Sequence, residues 1–291
     1  AGLELLPLND MRRLKVLDLS RNDFDHAGIQ CLARELAVME GLEEVYLGWC
    51  SIGDQGAEIL SESLGNLGNL KVLEMQHNKI GAGGAVALAR AIGSLTKLQI
   101  LYLNTNKIGD QGAASLAPAL GMMIQLQKLN LWRNQIGNRG VAALAPALGN
   151  MTQLQTLDLQ YNQIGADGAV VLAPALGKMT RLQGLWLYGN QIGDQGAAAL
   201  APALGNMTQL QRLDLGYNSL GAEGVAALAR VLGNMTQLQT LDLYWNYIGD
   251  QGAATLAPAL GNMTQLQTLD LRYNQIGADG AVALAPALGI M

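Results

Sequence analysis

Several features that would place the chain in common protein classes are scarce. Only 13 of the 291 residues are aromatic (1 Phe, 4 Trp and 8 Tyr), only 14% are charged, and there are two cysteines. Two cysteines cannot build the disulfide framework of a small secreted domain, and these two show no metal-ligand spacing. The formal charge of −5 argues against a general nucleic-acid binder, which needs a basic surface.

Long hydrophobic runs are also missing, because Gly, Pro and Gln interrupt every apolar stretch before it could span a membrane. The chain begins Ala-Gly-Leu, without a basic or signal-like segment. Half of the residues are hydrophobic, which together with the low charge argues against intrinsic disorder. We therefore expect a folded cytoplasmic protein with neither a membrane nor a nucleic acid as its partner.

A 28-residue repeat accounts for the chain from Leu14 onward. Each unit follows the pattern Leu-x-x-Leu-x-Leu-x-x-Asn-x-Ile-Gly-x-x-Gly with a few substitutions, and an Ala- and Leu-rich segment comes next. The first leucines of the ten units are Leu14, Leu42, Leu70, Leu98, Leu126, Leu154, Leu182, Leu210, Leu238 and Leu266. The Leu-x-Leu alternation predicts a short strand with one buried face, and the segment after it predicts a helix. Strands joined by helices form a parallel sheet, and stacking the units buries their leucines.

The ninth position of the unit predicts a ladder of asparagines that hydrogen-bond the turn after each strand. Cys50 takes this position in the second unit. The ladder comprises Asn22, Asn78, Asn106, Asn134, Asn162, Asn190, Asn218, Asn246 and Asn274.

These residues resemble the leucine-rich-repeat family, and the 28-residue Asn-x-Ile-Gly-x-x-Gly form is similar to the ribonuclease-inhibitor type. Ran GTPase-activating proteins and the sensor domains of NOD-like receptors carry the same type. The resemblance covers residues 14–291. It implies an α/β solenoid shaped like a horseshoe, with a parallel sheet on the concave face and helices on the convex face.

Prolines recur at one position of the helical segment, where they remove a hydrogen bond and clash with the preceding turn. We therefore expect short, kinked or split helices in those units. The prolines are Pro118, Pro146, Pro174, Pro202, Pro258 and Pro286.

The repeats predict a single leucine-rich-repeat domain over residues 1–291, in which a partial unit at residues 1–13 precedes the ten complete units. The last unit follows the consensus, whereas solenoids usually close with a polar cap. We expect a fragment of a longer protein, or an open end that permits end-to-end self-association through the C-terminal repeat.

A partner should bind where the units differ, and the side chains at the third, fifth, seventh, eighth and tenth positions face the concave side in this framework. All 12 Tyr and Trp residues stand at the fifth, seventh, eighth or tenth position. Such rings dominate interface hot spots, although they also favour strands and could simply stabilise the sheet. We expect Gly189 and Gly216 to leave notches between the rings. The predicted partner-binding residues are Tyr46, Trp49, Tyr102, Trp132, Arg133, Tyr161, Trp186, Tyr188, Tyr217, Tyr244, Trp245, Tyr247, Arg272 and Tyr273.

A row of carboxylates at the fifth position has two interpretations. It either attracts a basic partner or belongs to the ordinary Leu-Asp-Leu framework of the repeat. Arg133, Arg212 and Arg272 interleave with the row, so no attraction by the whole face is predicted. The row comprises Asp18, Glu74, Asp158, Asp214, Asp242 and Asp270.

Catalytic chemistry has no visible basis in the sequence. His26 and His77 are the only histidines, and neither has a Cys, a Ser or a second His at ligand or triad spacing. We predict no catalytic residue, metal or cofactor, and hence no enzyme. The Asn-Met-Thr sequons at Asn150, Asn206, Asn234 and Asn262 fit a duplicated turn sequence better than glycan acceptors in a chain without a signal segment.

The predicted function is a non-catalytic recognition module that binds a protein or peptide through its aromatic concave surface. By resemblance, it would be the sensor or scaffold part of an immune-type receptor or effector. Two alternatives stay open. One is carbohydrate or small-ligand binding on the same Tyr and Trp face, and the other is an engineered, consensus-like repeat scaffold.

Overall fold

One strand and one helix form in each 28-residue unit of the computed structural model, which describes residues 13–289. The ten strands form one parallel sheet in chain order. Each strand residue pairs with the residue 28 positions away in the next unit, as Val16 does with Glu44 and Thr240 with Thr268. The repeat length therefore sets the register, and the predicted α/β leucine-rich-repeat solenoid is confirmed.

The strands are three residues long and cover the third to fifth positions of each unit, so each is centred on the apolar residue at the fourth position. They are β1 (Val16–Asp18), β2 (Glu44–Tyr46), β3 (Val72–Glu74), β4 (Ile100–Tyr102), β5 (Lys128–Asn130), β6 (Thr156–Asp158), β7 (Gly184–Trp186), β8 (Arg212–Asp214), β9 (Thr240–Asp242) and β10 (Thr268–Asp270).

The helices pack on one side of this sheet, and we call the opposite sheet face the concave face. They are α1 (His26–Leu36), α2 (Gly53–Gly65), α3 (Ala82–Ile92), α4 (Gly109–Leu120), α5 (Asn138–Leu148), α6 (Ala166–Leu176), α7 (Gly193–Gly205), α8 (Ala222–Leu232), α9 (Gly249–Gly261) and α10 (Ala278–Leu288).

The core runs between sheet and helices as one continuous hydrophobic layer. In the sixth unit, Leu157 and Leu159 of the strand segment, Ile164 of the turn, and Leu172 and Leu176 of α6 are all fully buried. The same positions are buried in the neighbouring units, so each unit completes the core of the next, as expected for a solenoid.

The asparagine ladder is confirmed. The amide nitrogen of Asn162 donates to the carbonyl oxygens of Leu131 and Leu159, both at 3.0 Å. Its side-chain oxygen accepts from the backbone N–H groups of Asn134 (3.1 Å) and Ile136 (3.0 Å). One buried amide therefore satisfies four backbone groups of two units, which explains the residue type at this position.

In the second unit, Cys50 stands at the asparagine position and provides only the hydrogen-bond donor. Its thiol donates to the carbonyl oxygen of Leu19 at 3.2 Å and lies 3.4 Å from that of Gly48. Its own backbone N–H is bound by the side chain of Asn78. The thiol thus replaces the donor half of an asparagine.

The prolines do not shorten or split the helices, contrary to the sequence-based expectation. Helices α4 to α7, α9 and α10 each contain a proline and have 11–13 residues, the same range as α2, α3 and α8 without one. Pro174 is exposed, and so is Val170, whose carbonyl loses its helical partner. Because that carbonyl is on the convex side, water can satisfy it, and one lost bond near the helix end does not interrupt the helix.

A second tether joins certain neighbouring units at the helix starts. The Asp110 carboxylate of α4 accepts from the backbone N–H groups of Gly137 (2.6 Å) and Gly140 (2.9 Å), at the start of α5. Asp194 and Asp250 bind two N–H groups of the next unit in the same way. Asp54 and the amide oxygen of Asn138 each accept from one. A Cβ on Gly224 would lie 2.5 Å from the Asp194 oxygen, so this close approach requires glycine.

The partial unit predicted for residues 1–13 lies, apart from residue 13, outside the described residues. Within residues 13–289, none of the helices has the length and apolar character needed to cross a membrane.

Candidate functional site

The turn after each strand determines where the side chains of the eighth position point. Its backbone is left-handed there, with φ of 54° at Arg133, 48° at Tyr161 and 52° at Tyr217. The fifth position is the last residue of each strand, and the seventh follows two residues later. Side chains of these positions therefore form two levels, a floor on the strands and a rim on the turns.

Seven rings form one connected aromatic cluster from the fifth to the tenth unit. Neighbouring ring centroids are 5.0–6.3 Å apart, within the range of favourable aromatic pairs. Tyr188 and Tyr244, both at the seventh position, contact each other and the rim rings on both sides. The cluster consists of Trp132, Tyr161, Tyr188, Tyr217, Tyr244, Trp245 and Tyr273.

The rim and floor rings of this cluster differ in exposure. Tyr161, Tyr217 and Tyr273 on the rim are 49%, 50% and 65% exposed, whereas Tyr188 and Tyr244 beneath them are half-buried. Burial, together with the hydrogen-bonding contact to Tyr161, raises the pKa of Tyr188. The rim rings therefore offer the free surface, and the floor rings support them.

Gly189 and Gly216 do not leave the expected notches. A Cβ on Gly189 would lie 3.1 Å from the ring of Tyr161, and one on Gly216 would lie 2.7 Å from the ring of Tyr188. The missing side chain lets the ring of the preceding unit lie against the glycine backbone. Each glycine thus seats a ring and closes the gap.

The other predicted aromatic residues lie outside the cluster. The ring of Trp186 folds over Gly184 of its own strand, where a Cβ would overlap the indole. Tyr102 is half-buried, and Tyr247 is exposed at the tenth position. The hydroxyl of Tyr46 donates to Glu44 at 2.7 Å, and this bond raises the pKa of the tyrosine to about 12.

Trp49 belongs to a second, smaller aromatic pair that the sequence did not predict. Its ring stacks on that of His77 with centroids 3.5 Å apart and an interplanar angle of 10°. Arg21 lies over the same tryptophan at 5.8 Å. A histidine at the eighth position of the next unit was the available signal.

The two predicted arginines have different surroundings. Arg272 forms an ion pair with Asp270 and lies over the Tyr244 ring at 5.1 Å, so it is held at the edge of the aromatic cluster. Arg133 is exposed and forms no ion pair within residues 13–289.

The carboxylate row has a local structural role. Asp158, Asp214 and Asp242 each accept a hydrogen bond, at 3.0, 3.0 and 2.8 Å, from the backbone N–H two residues later. Burial raises the pKa of Asp158 to about 6 and that of Asp214 to about 7. The row therefore fixes the turn after the strand, and its central members carry less negative charge near neutral pH than free carboxylates.

Metal-binding geometry does not appear among the described residues, where no three His, Cys, Asp or Glu side chains come together. The chemistry that this face offers consists of aromatic surface, tyrosine hydroxyls and a few charges. Such groups are suited to non-covalent contact with a ligand.

Comparison with known proteins identifies the family. Residues 2–203 match the family model described as "Leucine-rich repeat region". The chain belongs to the leucine-rich-repeat family. Three more segments of this leucine-rich-repeat protein, residues 206–229, 234–257 and 262–285, match a second model described as "Leucine Rich repeat". No curated protein matches the sequence.

Two solved structures are similar to this leucine-rich-repeat protein, and the first of them has the same fold. The structure of PEPR1-AtPEP1 is 22% identical with a TM-score of 0.53, over 93% of this chain and 40% of that chain. An internalin (inlF) from Listeria monocytogenes is 24% identical with a TM-score of 0.49, over 96% of this chain and 87% of that chain. At such identities the similarity concerns the fold.

Proposed function

We propose that this leucine-rich-repeat protein is a non-catalytic module that binds a protein or peptide on its concave face. The observation that carries the proposal is the aromatic cluster, a contiguous patch of seven rings whose rim members are about half exposed or more. Exposed aromatic patches of this size mark interaction sites. Tyr and Trp add rigid contact area with a polar tip.

Ring orientation favours a protein or peptide over a sugar. A sugar site needs coplanar platforms, yet adjacent rings are inclined by 53° between Trp132 and Tyr161 and by 80° between Tyr244 and Tyr273. Three pairs are closer to parallel, namely Tyr188–Tyr217 at 24°, Tyr188–Tyr244 at 25° and Trp245–Tyr273 at 28°. The members of each of these pairs also contact a ring inclined by 53° or more. A continuous surface of tilted rings suits the side chains of an extended polypeptide.

Several finer properties belong to the same proposal. We infer the ribonuclease-inhibitor type of repeat, which the 28-residue period and the helix in every unit support. The proposal also includes a sensor or scaffold role in an immune-type receptor or effector, a cytoplasmic location, and end-to-end self-association through the C-terminal repeat.

The test is selection of a displayed random-peptide library on the intact protein, followed by affinity measurement of the selected peptides. The variant Tyr161→Ala/Tyr217→Ala/Tyr273→Ala removes exposed rim rings and leaves the floor rings in place. We expect this variant to bind the selected peptides with at least tenfold lower affinity while the protein stays folded. Truncating a hot-spot aromatic side chain costs about 2 kcal/mol or more of binding free energy.

A control variant removes three apolar side chains that lie outside the aromatic cluster and are somewhat more exposed than the rim rings. Met122, Ile124 and Val282 are 60%, 60% and 73% exposed, and their replacement by Ala should leave peptide affinity unchanged. Equal affinities of the rim variant and the control would contradict the proposal. Binding to a glycan array that depends on the rim rings would support the carbohydrate alternative.

A further inference from the structure

A cavity of about 560 Å³ opens at the rim of the second to fifth units, away from most of the aromatic cluster. Its walls come from the eighth and tenth positions of four successive units. Thr105 is the short residue of this row, between His77 and Arg133, and its small side chain leaves the hollow. The lining residues are Trp49, Ser51, His77, Lys79, Thr105, Asn106, Lys107, Arg133 and Gln135.

Charge in this cavity is of one sign. Lys79, Lys107 and Arg133 line it, and no carboxylate does. All three cations are exposed, and within residues 13–289 none of them forms an ion pair. In a protein of net charge −5, three unpaired cations around one hollow are a local reversal of the overall charge.

Nearby acidic residues do not neutralise this charge. Glu74 lies on the floor of the third unit, where Gln76 donates to its carboxylate at 3.1 Å. At the tenth position, Asp23 belongs to the first unit and is separated from Lys79 by the unit of Ser51.

The positive charge of Arg133 affects His77 in the wall of the cavity. Burial lowers the pKa of His77, and the charge of Arg133, two units away across Thr105, lowers it further. Neighbouring parallel strands are about 4.8 Å apart, so the two side chains begin roughly 10 Å from each other. The field of Arg133 therefore extends across the cavity, where an anion would experience it as attraction.

Donors are available around the hollow. Lys79 Nζ has only a long contact, 3.5 Å, with Ser51 Oγ. The Thr105 hydroxyl also makes no hydrogen bond within the described residues, but it is buried from solvent and is not counted among these donors. Two ammonium groups and one guanidinium provide more charge than a single carboxylate neutralises, and they match the several oxygens of a phosphate.

We propose that this cavity is a binding site for a phosphate monoester in its dianionic form. Lys79 and Lys107 contact the phosphate oxygens from the tenth position, and Arg133 contacts them from the eighth. The part of Trp49 that His77 and Arg21 leave exposed lines the cavity where the group that carries the phosphate lies. The site goes beyond the proposed peptide-binding function and does not depend on it, since neither lysine belongs to the aromatic cluster.

The experiment is a titration of the ¹⁵N-labelled protein with phenyl phosphate at pH 7.5 and low salt, followed by backbone amide chemical shifts. At this pH the monoester is mainly dianionic, because its second pKa is about 6. We expect saturable shifts centred on Lys79, Thr105, Lys107 and Arg133. Benzoate, with the same ring and one charge, should bind at least tenfold more weakly, and inorganic phosphate and ribose 5-phosphate distinguish a free anion and an aliphatic ester from an aryl ester.

The variant Lys79→Gln/Lys107→Gln should reduce phenyl phosphate affinity at least tenfold, since it removes two charge-assisted contacts from exposed positions. Lys97→Gln/Lys178→Gln removes two exposed lysines elsewhere and should leave the affinity unchanged. Equal affinities of the two variants, absence of saturation, or shifts centred outside the cavity would each overturn the proposal. A failure of peptide binding at the aromatic cluster would leave all these outcomes unaffected.

Discussion

Replacing Asn162 by Ala tests whether the asparagine ladder holds the units together. The substitution leaves the backbone N–H groups of Asn134 and Ile136 without the side-chain oxygen that they bind at 3.1 and 3.0 Å. Each buried donor left unpaired costs about 1–3 kcal/mol, so the two together cost about 2–6 kcal/mol.

The effect is measurable by thermal and urea denaturation followed by circular dichroism. At about 2.1 cal/mol/K per residue, a chain of this length has an unfolding entropy of about 0.6 kcal/mol/K, so Tm should fall by about 3–10 °C. Asn162→Cys should cost less than Asn162→Ala, because the thiol of Cys50 already donates to backbone carbonyls at the same position of the second unit.

The control for this prediction is Gln163→Ala, an exposed neighbour on the same turn. It should change stability by less than about 0.5 kcal/mol. A loss below about 1 kcal/mol for Asn162→Ala, or one equal to that of Gln163→Ala, would refute the reasoning that the ladder amide carries two buried N–H groups.

Three further predictions test other features of the structure. Because burial raises the pKa of Asp214 to about 7, the folded state binds more protons than the unfolded state between about pH 4 and 7, and this group makes stability fall as pH rises through that window. Asp214→Asn should therefore raise Tm at pH 8 and flatten the slope of Tm against pH. Asp270→Asn removes the ion pair with Arg272 and should lower Tm at pH 8. An unchanged slope for Asp214→Asn would contradict the raised pKa of Asp214. Pro174→Ala restores the N–H that α6 lacks and should stabilise the protein by about 1 kcal/mol or more in urea denaturation, so a loss of stability would show that the ring makes contacts that matter. Tyr188→Ala should cost about 2 kcal/mol in the same assay and Tyr217→Ala about 1 kcal/mol, because the first ring supports three others and the second is half exposed; the reverse order would contradict the division into floor and rim.

Much of the fold could be predicted because the repeat carries its own register. Leucines such as Leu157 and Leu159 recur at the same two positions of every unit or are replaced there by similar apolar residues, so strand order, parallel pairing and the buried face follow from spacing alone. The expectation of short or split helices was wrong because the position of the prolines in the repeat does not show that the carbonyl of Val170 faces solvent. The tether from Asp110 to the next helix was also missed, since it joins residues of two units whose distance only the assembled solenoid defines.

The positions of the candidate-site residues could be read from the sequence, but the packing of their side chains could not. Twelve rings at four positions predicted one binding face, yet the pattern gave Trp186 the same weight as Tyr188. Only the structure shows that one ring folds back over Gly184 and the other supports three neighbours. The cavity at Lys79 and Lys107 gave no signal, because lysines at an exposed repeat position are ordinary until the short side chain of Thr105 opens a hollow between them.

The tethers at the helix starts imply that the natural building block is larger than one repeat. Ala82, Ala166 and Ala222 stand where the neighbouring units have Asp or Asn, and an alanine side chain offers no oxygen to the following helix. The boundaries after the third, sixth and eighth units therefore lack this connection, and the last four units form two consecutive pairs. Inserting or deleting such a pair keeps each aspartate next to the helix start whose glycine N–H groups it binds. Inserting or deleting a single unit would place an aspartate next to a helix start that it does not bind in this structure. We expect arrays of this kind to gain or lose repeats in pairs and, when pulled from their ends, to separate first at the alanine boundaries.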